Sequence, residues 1–162
     1  MIISADDFFM QGGKYVYNAY KIGEAHSYCL RTFFETVRVA SLANKVLKVV
    51  IMRGLPGSGK TSWAEKNKSL FDVCIDNTNT TSVEIAPYAA VTLAYGHKMK
   101  IVVIKSKPEF AAVRNIHGVP PIQIGMMYQR MLTDKLPPWW DQEEVRDDEI
   151  DLPRKTPLFV LP

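Results

Sequence analysis

The sequence lacks the features of secreted, disulfide-linked and membrane proteins. Its two cysteines, Cys29 and Cys74, lie far apart and match no metal-binding spacing, which favours reduced thiols. No apolar run approaches the roughly 18 residues that a membrane span requires. Residues 1–7 include Asp6 and Asp7 but no basic residue, which is not the pattern of a signal peptide. These absences predict a cytoplasmic protein without a membrane partner.

Composition predicts one globular domain, and the charge is unevenly distributed along it. Apolar residues make up 47% of the chain and charged residues 23%, as in ordinary globular proteins. The net charge is +3, but residues 141–162 carry seven acidic and three basic residues, which leaves +7 on the preceding part. A basic body suits a phosphate-rich partner, and an ordinary soluble surface is the alternative. No internal repeat is present, and no pattern indicates an oligomeric state.

Residues 53–61 fit the phosphate-loop pattern of a glycine, four residues and Gly-Lys-Thr without a mismatch. The preceding residues, 46–52, are β-branched and apolar, which is typical of a buried strand. Residues 62–66 are suited to begin a helix, so the motif has the strand and helix that it requires. The alternative is a chance glycine-rich loop, which average residue frequencies produce in roughly one chain of this length in a hundred.

Each residue type in this loop suits the binding of phosphate. The glycines allow a tight turn that points successive N–H groups at an anion, and the following helix N-terminus adds partial positive charge. Lys60 can reach the β- and γ-phosphates, and the Thr61 hydroxyl can ligate Mg²⁺. The sequence therefore predicts a nucleoside triphosphate site formed by Gly54, Pro56, Gly57, Ser58, Gly59, Lys60, Thr61 and Ser62.

Acidic residues follow two other predicted strands. Asp6 and Asp7 come after the strand of residues 1–3, and Asp76 comes after the strand of residues 71–75. Because parallel sheets bind ligands at the carboxyl ends of their strands, all three are candidate site residues. Asp76 is expected to contact Mg²⁺ through water, with a polar turn as the alternative. Asp7 is equally suited to cap a helix.

The remaining pattern alternates helices with strands. Residues 10–18 are expected to form a loop, and 100–104 a strand. A capping box at residues 81–84 opens one of the helices. Helices are predicted at 22–43, 81–95, 108–115 and 122–133. The tail after residue 137 is expected either to add an edge strand or to cover apolar surface. Arg114 and Arg130 could grip phosphate through the planar guanidinium, with surface arginine as the alternative.

Together these motifs resemble those of the P-loop polynucleotide kinases, which phosphorylate a hydroxyl of DNA or RNA with ATP. Gly54–Thr61 is similar to their phosphate loop and Ser4–Phe9 to their Asp-Asp motif. Asp76–Asn79 is similar to their substrate-side motif, and Arg114 with the residues up to Pro120 to their lid. The resemblance spans residues 1–132. It implies an α/β fold, with a parallel sheet flanked by helices, in a single P-loop kinase domain over residues 1–162.

The resemblance also implies roles and boundaries. Asp6 would be the general base, and Arg114 would stabilise the transferring phosphoryl group. ATP would bind through Lys60, and Mg²⁺ through Thr61 and Asp76. The substrate side would comprise Asp7, Phe8, Asn77, Thr78 and Asn79. The blocks would be 1–45 with the Asp-Asp motif, 46–136 with the phosphate loop and lid, and the acidic tail 137–162.

The chain departs from the family pattern at two points. In the family the phosphate loop precedes the Asp-Asp strand, whereas here residues 1–45 carry the Asp-Asp block ahead of the loop. This predicts an exchange of two neighbouring βα blocks within the same parallel sheet. In addition, Phe9 stands near the position where some end-specific members carry a basic residue that holds a substrate phosphate.

The sequence thus predicts a kinase that transfers the γ-phosphate of ATP to a hydroxyl of nucleic acid. The acceptor would be a polynucleotide 5′-hydroxyl or a hydroxymethylated base, against which Phe8 and Phe9 could stack; both rings suit a core equally well. The alternatives are a kinase of a free nucleoside or small metabolite, and a nucleotide-binding module without catalysis.

Overall fold

The structure, a computed structural model, describes residues 1–152, 154 and 157–159. It contains seven strands: β1 (Ile2–Ile3), β2 (Met10–Gln11), β3 (Lys14–Tyr15), β4 (Lys48–Arg53), β5 (Val73–Ile75), β6 (Lys98–Lys105) and β7 (Gln142–Arg146). Five of them form a sheet in the order β1-β5-β4-β6-β7, and every neighbouring pair is parallel. Strands β2 and β3 form a separate antiparallel hairpin.

Six α-helices accompany these strands in the described residues. They are α1 (Ala5–Phe8), α2 (Ile22–Leu42), α3 (Lys60–Lys66), α4 (Ser82–Ala94), α5 (Pro108–Arg114) and α6 (Pro121–Thr133). The predicted capping box is confirmed, because Thr81 and Glu84 hold the N-terminus of α4 reciprocally. None of the helices in these ranges is long and apolar enough to cross a membrane.

Alternating strand residues divide the core between the two faces of the sheet. Side chains such as Val49 and Ile51 pack with α2 and α4, where Phe33 is fully buried. Their neighbours in sequence, such as Val50, pack with α3 and the tail around Trp63. Burying one such large side chain stabilises the fold by about 1.5–3 kcal/mol. The α/β fold class, a parallel sheet flanked by helices, is therefore confirmed.

Several local predictions need correction. Residues 10–18 were expected to form only a loop, but β2 and β3 pair there because Gly12 and Gly13 take the positive φ that a tight hairpin turn needs. In the tail, both open alternatives occur: β7 adds an edge strand, and Leu158 with Phe159 packs on the core. The rest of that prediction, at residues 153, 155, 156 and 160–162, lies outside the described residues.

The strand order brings the predicted site residues to one edge. β1 and β4 both run parallel to β5 and lie on either side of it. The chain therefore passes from β1 through α2 to β4, which is not the neighbour of β1 in the sheet. Since the three strands point the same way, the residues that follow each of them meet at one edge of the sheet.

Candidate functional site

A cavity of about 700 Å³ lies at the carboxyl ends of β1, β4 and β5. Segments distant in sequence form its walls: the phosphate loop, the Asp-Asp turn, the turn after β5 and the lid between α5 and α6. The predicted site residues that line it are Asp6, Pro56, Gly57, Gly59, Lys60, Thr61, Ser62, Asp76, Asn77, Thr78 and Arg114. The structure therefore places most of the predicted donor and base residues around one space.

Glycine is required at two positions of the phosphate loop. Gly57 has φ +76° and Gly59 has φ +96°, values that side-chain-bearing residues rarely adopt. A Cβ atom at Gly57 would also overlap the carbonyl oxygen of Ala111 in α5, and one at Gly59 would overlap Ile150. The loop is thus closely packed between the lid helix and the tail. Gly54 and Ser58 are buried within it.

The Lys60 ammonium is folded back onto the loop. Its Nζ donates hydrogen bonds to the carbonyl oxygens of Gly54 at 3.0 Å and Leu55 at 2.9 Å, and the residue is only 9% exposed. Burial lowers the pKa of Lys60, while the nearby negative charges of Asp76 and Asp6 raise it. A phosphate anion would replace two neutral carbonyl acceptors with a charged one, and charge-assisted hydrogen bonds are roughly twice as strong.

Thr61 and Asp76 form the pair that suits Mg²⁺. The Thr61 hydroxyl donates to Asp76 Oδ2 at 2.6 Å, and Asp76 Oδ1 is buried with no hydrogen-bond partner among the described residues. Burial raises the pKa of Asp76, opposed by the charge of Lys60 and the Thr61 hydrogen bond. Mg²⁺ takes one or two protein oxygens and completes its shell with phosphates and water. The unpartnered oxygen therefore fits the ion.

The described residues offer no complete protein cage for a metal. They contain no group of three or more histidine, cysteine, aspartate or glutamate side chains that could hold an ion together. A tetrahedral zinc site of protein ligands would need such a group. Thr61 and Asp76 could contribute only part of a coordination shell, which is the arrangement expected for Mg²⁺ bound together with a nucleotide.

The two carboxylates of the Asp-Asp turn have different partners. Asp7 Oδ2 accepts from the Ser4 N–H at 3.3 Å in a capping box at the start of α1, and Asp7 does not line the cavity. The helix cap holds the Asp7 carboxylate, and its assignment to the substrate side stays a prediction. Asp6 lines the cavity together with Lys60. Ser4 ties this turn to β5 by donating to the Asp76 carbonyl at 3.0 Å.

Tyr15 and His117 flank Asp6, and sequence reasoning missed both. The Tyr15 hydroxyl donates to Asp6 Oδ1 at 3.0 Å, and His117 Nε2 lies 3.5 Å from Asp6 Oδ2. The centroids of the Tyr15 and His117 rings are 5.0 Å apart. Burial raises the pKa of the Tyr15 hydroxyl, and the charge and hydrogen bond of Asp6 raise it further, so this group stays a neutral donor. The Gly12-Gly13 turn was the available signal for Tyr15, because it marks a hairpin.

The lid arginine is engaged by the acidic tail. Arg114 Nη2 donates to Asp147 Oδ2 and to the Ser106 hydroxyl at 3.3 Å, and its Nε donates to the Phe110 carbonyl at 3.2 Å. Burial raises the pKa of Asp147, but hydrogen bonds from Ser106 and Arg114 outweigh it and hold the pKa below its ordinary value. Asp147 and Arg130 also line the cavity. No sequence pattern indicated the contact between Arg114 and Asp147.

Two further substrate-side residues lie outside the cavity. Phe8 is half-buried with its ring against Phe9 and Tyr28, at 5.5 and 6.0 Å between centroids, and it does not line the space. Asn79 is buried and donates to the Met52 carbonyl at 2.8 Å, so it secures the end of β4. Packing engages Phe8 and a backbone hydrogen bond engages Asn79, and the assignment of both to the substrate side stays a prediction.

Asn77 and Thr78, which the sequence analysis assigns to the substrate side, line the cavity and also bind backbone groups. Asn77 Oδ1 accepts from the Ala5 N–H at 3.0 Å, which joins the turn after β5 to the start of α1. The Thr78 carbonyl accepts from the Gly54 N–H at 3.0 Å, which joins the same turn to the phosphate loop. These contacts fix the spacing between the Asp-Asp turn and the phosphate loop.

Comparison with known proteins adds one distant similarity. No protein-family model matches the chain. NEDD4-binding protein 2 from Homo sapiens is 29% identical to it over 142 residues, which are 82% of this chain. The chain spans only 6% of the length of that curated relative.

Proposed function

We propose that this protein is an ATP-dependent kinase that transfers the γ-phosphate to a hydroxyl group of nucleic acid. The observation that carries the proposal is that the Asp6 carboxylate and the phosphate loop line the same cavity. A carboxylate opposite a triphosphate site can activate an acceptor hydroxyl in line with the γ-phosphate. Phosphate binding alone would not require an acid in that position.

On the donor side, the N–H groups of the loop and the N-terminus of α3 would bind the phosphates. Lys60 would exchange the carbonyls of Gly54 and Leu55 for phosphate oxygens. Thr61 and Asp76 would hold Mg²⁺, which when bound neutralises the charge on the β- and γ-phosphates. Asp76 supplies a buried oxygen without a partner among the described residues, so little existing bonding would be lost.

On the acceptor side, Asp6 would take the proton from the attacking hydroxyl. Such a positioned base contributes roughly 10²–10⁴-fold to the rate. Tyr15 and His117 contact the two oxygens of this carboxylate and so fix its direction. Arg114 lies at the same cavity and would neutralise the transferring phosphoryl group once it leaves Asp147.

The choice of nucleic acid as acceptor rests on charge and on resemblance. The part of the chain before the acidic tail carries +7, which suits a polyanion. The matched motifs resemble those of the P-loop polynucleotide kinases, and the exchanged block order relative to that family is part of the proposal. The acceptor would be a 5′-hydroxyl of a strand or a hydroxymethylated base. A cytoplasmic location completes the proposal, supported by the free and buried thiols of Cys29 and Cys74.

A transfer assay tests this function. The protein is incubated with γ-labelled ATP, Mg²⁺ and separate acceptors: nucleosides, 5′-hydroxyl oligonucleotides and hydroxymethylated DNA. We expect label on a nucleic acid, and a KM for it that rises with salt because phosphate contacts release counterions. Lys60→Ala should abolish transfer, whereas the exposed Lys68→Ala should not.

The same assay separates the alternatives. Label on nucleosides alone, with a KM that does not change with salt, would identify a small-molecule kinase. ATP binding without label on any acceptor would identify a nucleotide-binding module. Circular dichroism shows whether the Lys60→Ala variant is folded, a control that is needed because this lysine is buried in the loop.

A further inference from the structure

Aromatic rings line the part of the cavity next to Asp6. Phe9, Tyr15 and Tyr17 come from the hairpin segment, and His117 comes from the lid turn. The Phe9 ring centroid lies 5.4 Å from that of Tyr17 and 6.0 Å from that of Tyr15. These four rings are called the aromatic wall below. Nothing in the donor chemistry described above uses them as a group.

One ring of the aromatic wall is both supported and open. Phe9 is 4% exposed and forms the buried support, whereas Tyr17, packed against it, is 54% exposed. Tyr20 is 98% exposed in the same segment but does not line the cavity. Tyr17 therefore presents ring surface to the cavity on a buried support. Tyr20 provides a nearby comparison, because its ring is open to solvent but neither lines the cavity nor rests on a buried support.

The hairpin holds this wall in place before any ligand binds. Met10 pairs with Tyr15 and Gln11 pairs with Lys14, and the Val16 N–H donates to the Phe9 carbonyl at 2.9 Å. The backbone on both sides of the rings is therefore fixed by hydrogen bonds. A ligand that stacks on such preorganised rings loses less affinity to side-chain ordering than one that binds a mobile loop.

The charge of the segment suits a phosphate-bearing ligand. Lys14 and Lys21 are the only charged residues between Asp7 and Glu24 in the sequence, and both are exposed. Aromatic side chains combined with positive charge are the pattern by which proteins bind single-stranded nucleic acid. A flat apolar ligand without phosphate would gain nothing from the two lysines.

We propose that the aromatic wall binds the unpaired base of the terminal nucleotide that carries the acceptor hydroxyl, stacked on Tyr17. This inference rests on the proposed function, because it uses Asp6 as the base toward which the hydroxyl is directed. The terminal base occupies the wall, its hydroxyl lies at Asp6, and the following phosphates run past the exposed lysines. The acceptor is thus the end of a single strand, and a base paired in a duplex would first have to leave its partner.

A binding experiment tests the aromatic wall independently of catalysis. Fluorescence anisotropy measures the Kd of a short single-stranded 5′-hydroxyl oligonucleotide labelled at its 3′ end. Its terminal residue is either dT or an abasic sugar. Stacking of one base contributes roughly tenfold in affinity. We expect the abasic end to raise the Kd of the wild-type protein by about that factor.

The variants locate the effect. Tyr17→Ala should raise the Kd for the dT-ended strand roughly tenfold and leave the Kd for the abasic strand unchanged. Tyr17→Phe should retain affinity because the ring is kept, and Tyr20→Ala should bind like the wild type. Competition with free thymidine distinguishes a strand end from a nucleoside: the strand should bind more tightly, and its advantage should decrease with salt.

The outcomes separate this inference from the kinase proposal. Equal Kd values for the dT and abasic ends, or a Tyr17→Ala variant with wild-type affinity, would overturn the aromatic wall even if phosphate transfer to oligonucleotides occurs. Base-dependent binding without any transfer would overturn the kinase proposal while the binding site stands. Absence of oligonucleotide binding by the wild-type protein would overturn the inference directly.

Discussion

Arg114 in the lid helix donates a hydrogen bond to the carboxylate of Asp147 in the acidic tail, at the rim of the cavity. In this arrangement the guanidinium that the sequence assigns to the phosphoryl group is bound to a residue of the same chain. The Arg114 side chain is about half exposed, and ion pairs at such positions contribute roughly 0–1 kcal/mol. A triphosphate carries more negative charge than one carboxylate and could therefore displace Asp147.

Asp147→Asn is predicted to strengthen the interaction of Arg114 with ATP. The amide keeps an oxygen for the Ser106 hydroxyl but removes the charge that competes for Arg114. Up to about 1 kcal/mol of competition corresponds to a KM for ATP lowered by as much as roughly fivefold. Steady-state kinetics with saturating acceptor measures this change.

Asp148→Asn is the matched control for that variant. Asp148 is the next residue and pairs with Arg146 rather than with Arg114. Removing its charge changes the net charge of the tail by the same amount, so its KM for ATP should stay at the wild-type value. An Asp147→Asn variant whose KM equals that of Asp148→Asn would contradict competition for Arg114.

The local features of the site could be predicted from the sequence. The phosphate loop depends on residue types at fixed spacing, so Gly57, Gly59, Lys60 and Thr61 are identified without any knowledge of distant contacts. The positions of Asp6 and Asp76 follow from one further step, because parallel strands end at a common edge. The sheet and the helices can be predicted from the apolar periodicity and from the residues that cap the helices.

The contacts between segments could not be predicted in the same way. Asp6 meets His117 across more than a hundred residues, and no sequence periodicity encodes such a pair. Asp7 and Asn79 resemble site residues by type, but hydrogen bonds with the backbone hold both side chains, within the cap of α1 for Asp7 and across to Met52 for Asn79. The sequence places Phe9 near the position of a basic residue in some members of the family that its motifs resemble, and only its burial against Tyr17 shows that it supports a ring.

Tyr15→Phe is predicted to reduce kcat without changing the KM for ATP. The substitution removes only the hydroxyl that donates to Asp6, and hydrogen bonds to charged groups contribute about 1.5–3 kcal/mol. If part of this free energy orients the Asp6 carboxylate in the transition state, its loss lowers kcat roughly tenfold. Tyr20→Phe removes a hydroxyl from an exposed ring and should retain full activity. A lower melting temperature with wild-type kcat would show that the hydrogen bond only stabilises the hairpin.

Gly57→Ala is predicted to destabilise the protein and weaken ATP binding. Alanine at this position would have to adopt φ +76°, and its Cβ would overlap the Ala111 carbonyl of α5. The lid helix would therefore have to shift. Backbone strain of this kind costs roughly 1–3 kcal/mol, before the overlap is counted. Gly125→Ala in α6 is the control: its Cβ meets nothing within 4 Å, and alanine should raise helix stability by up to about 1 kcal/mol. Thermal unfolding with and without ATP compares the two.

Asp72 is predicted to make stability fall at acidic pH. Burial raises the pKa of this carboxyl, but hydrogen bonds from Lys45 and from the Lys48 N–H outweigh burial and lower the pKa below its ordinary 3.8. A depressed pKa means that the ionised form stabilises the fold. That stabilisation is complete above the ordinary value and is lost as pH falls through the folded-state pKa. Asp72→Asn should therefore lower the melting temperature at pH 7 and reduce the further loss on acidification, measured by calorimetry.

Asp6→Asn and Asp7→Asn are predicted to separate chemistry from stability in adjacent residues. Asp6 faces the cavity and would accept the proton of the acceptor, so the amide should lower kcat roughly 10²–10⁴-fold with ATP affinity nearly unchanged. Asp7 holds the capping box of α1, and loss of a cap costs about 1 kcal/mol. Its variant should melt earlier but turn over at a rate close to wild type. Because both substitutions remove one charge from the same turn, a shared electrostatic effect would reduce kcat equally. An inactive Asp7→Asn beside an active Asp6→Asn would mean that the carboxylate facing the phosphate loop is not the base.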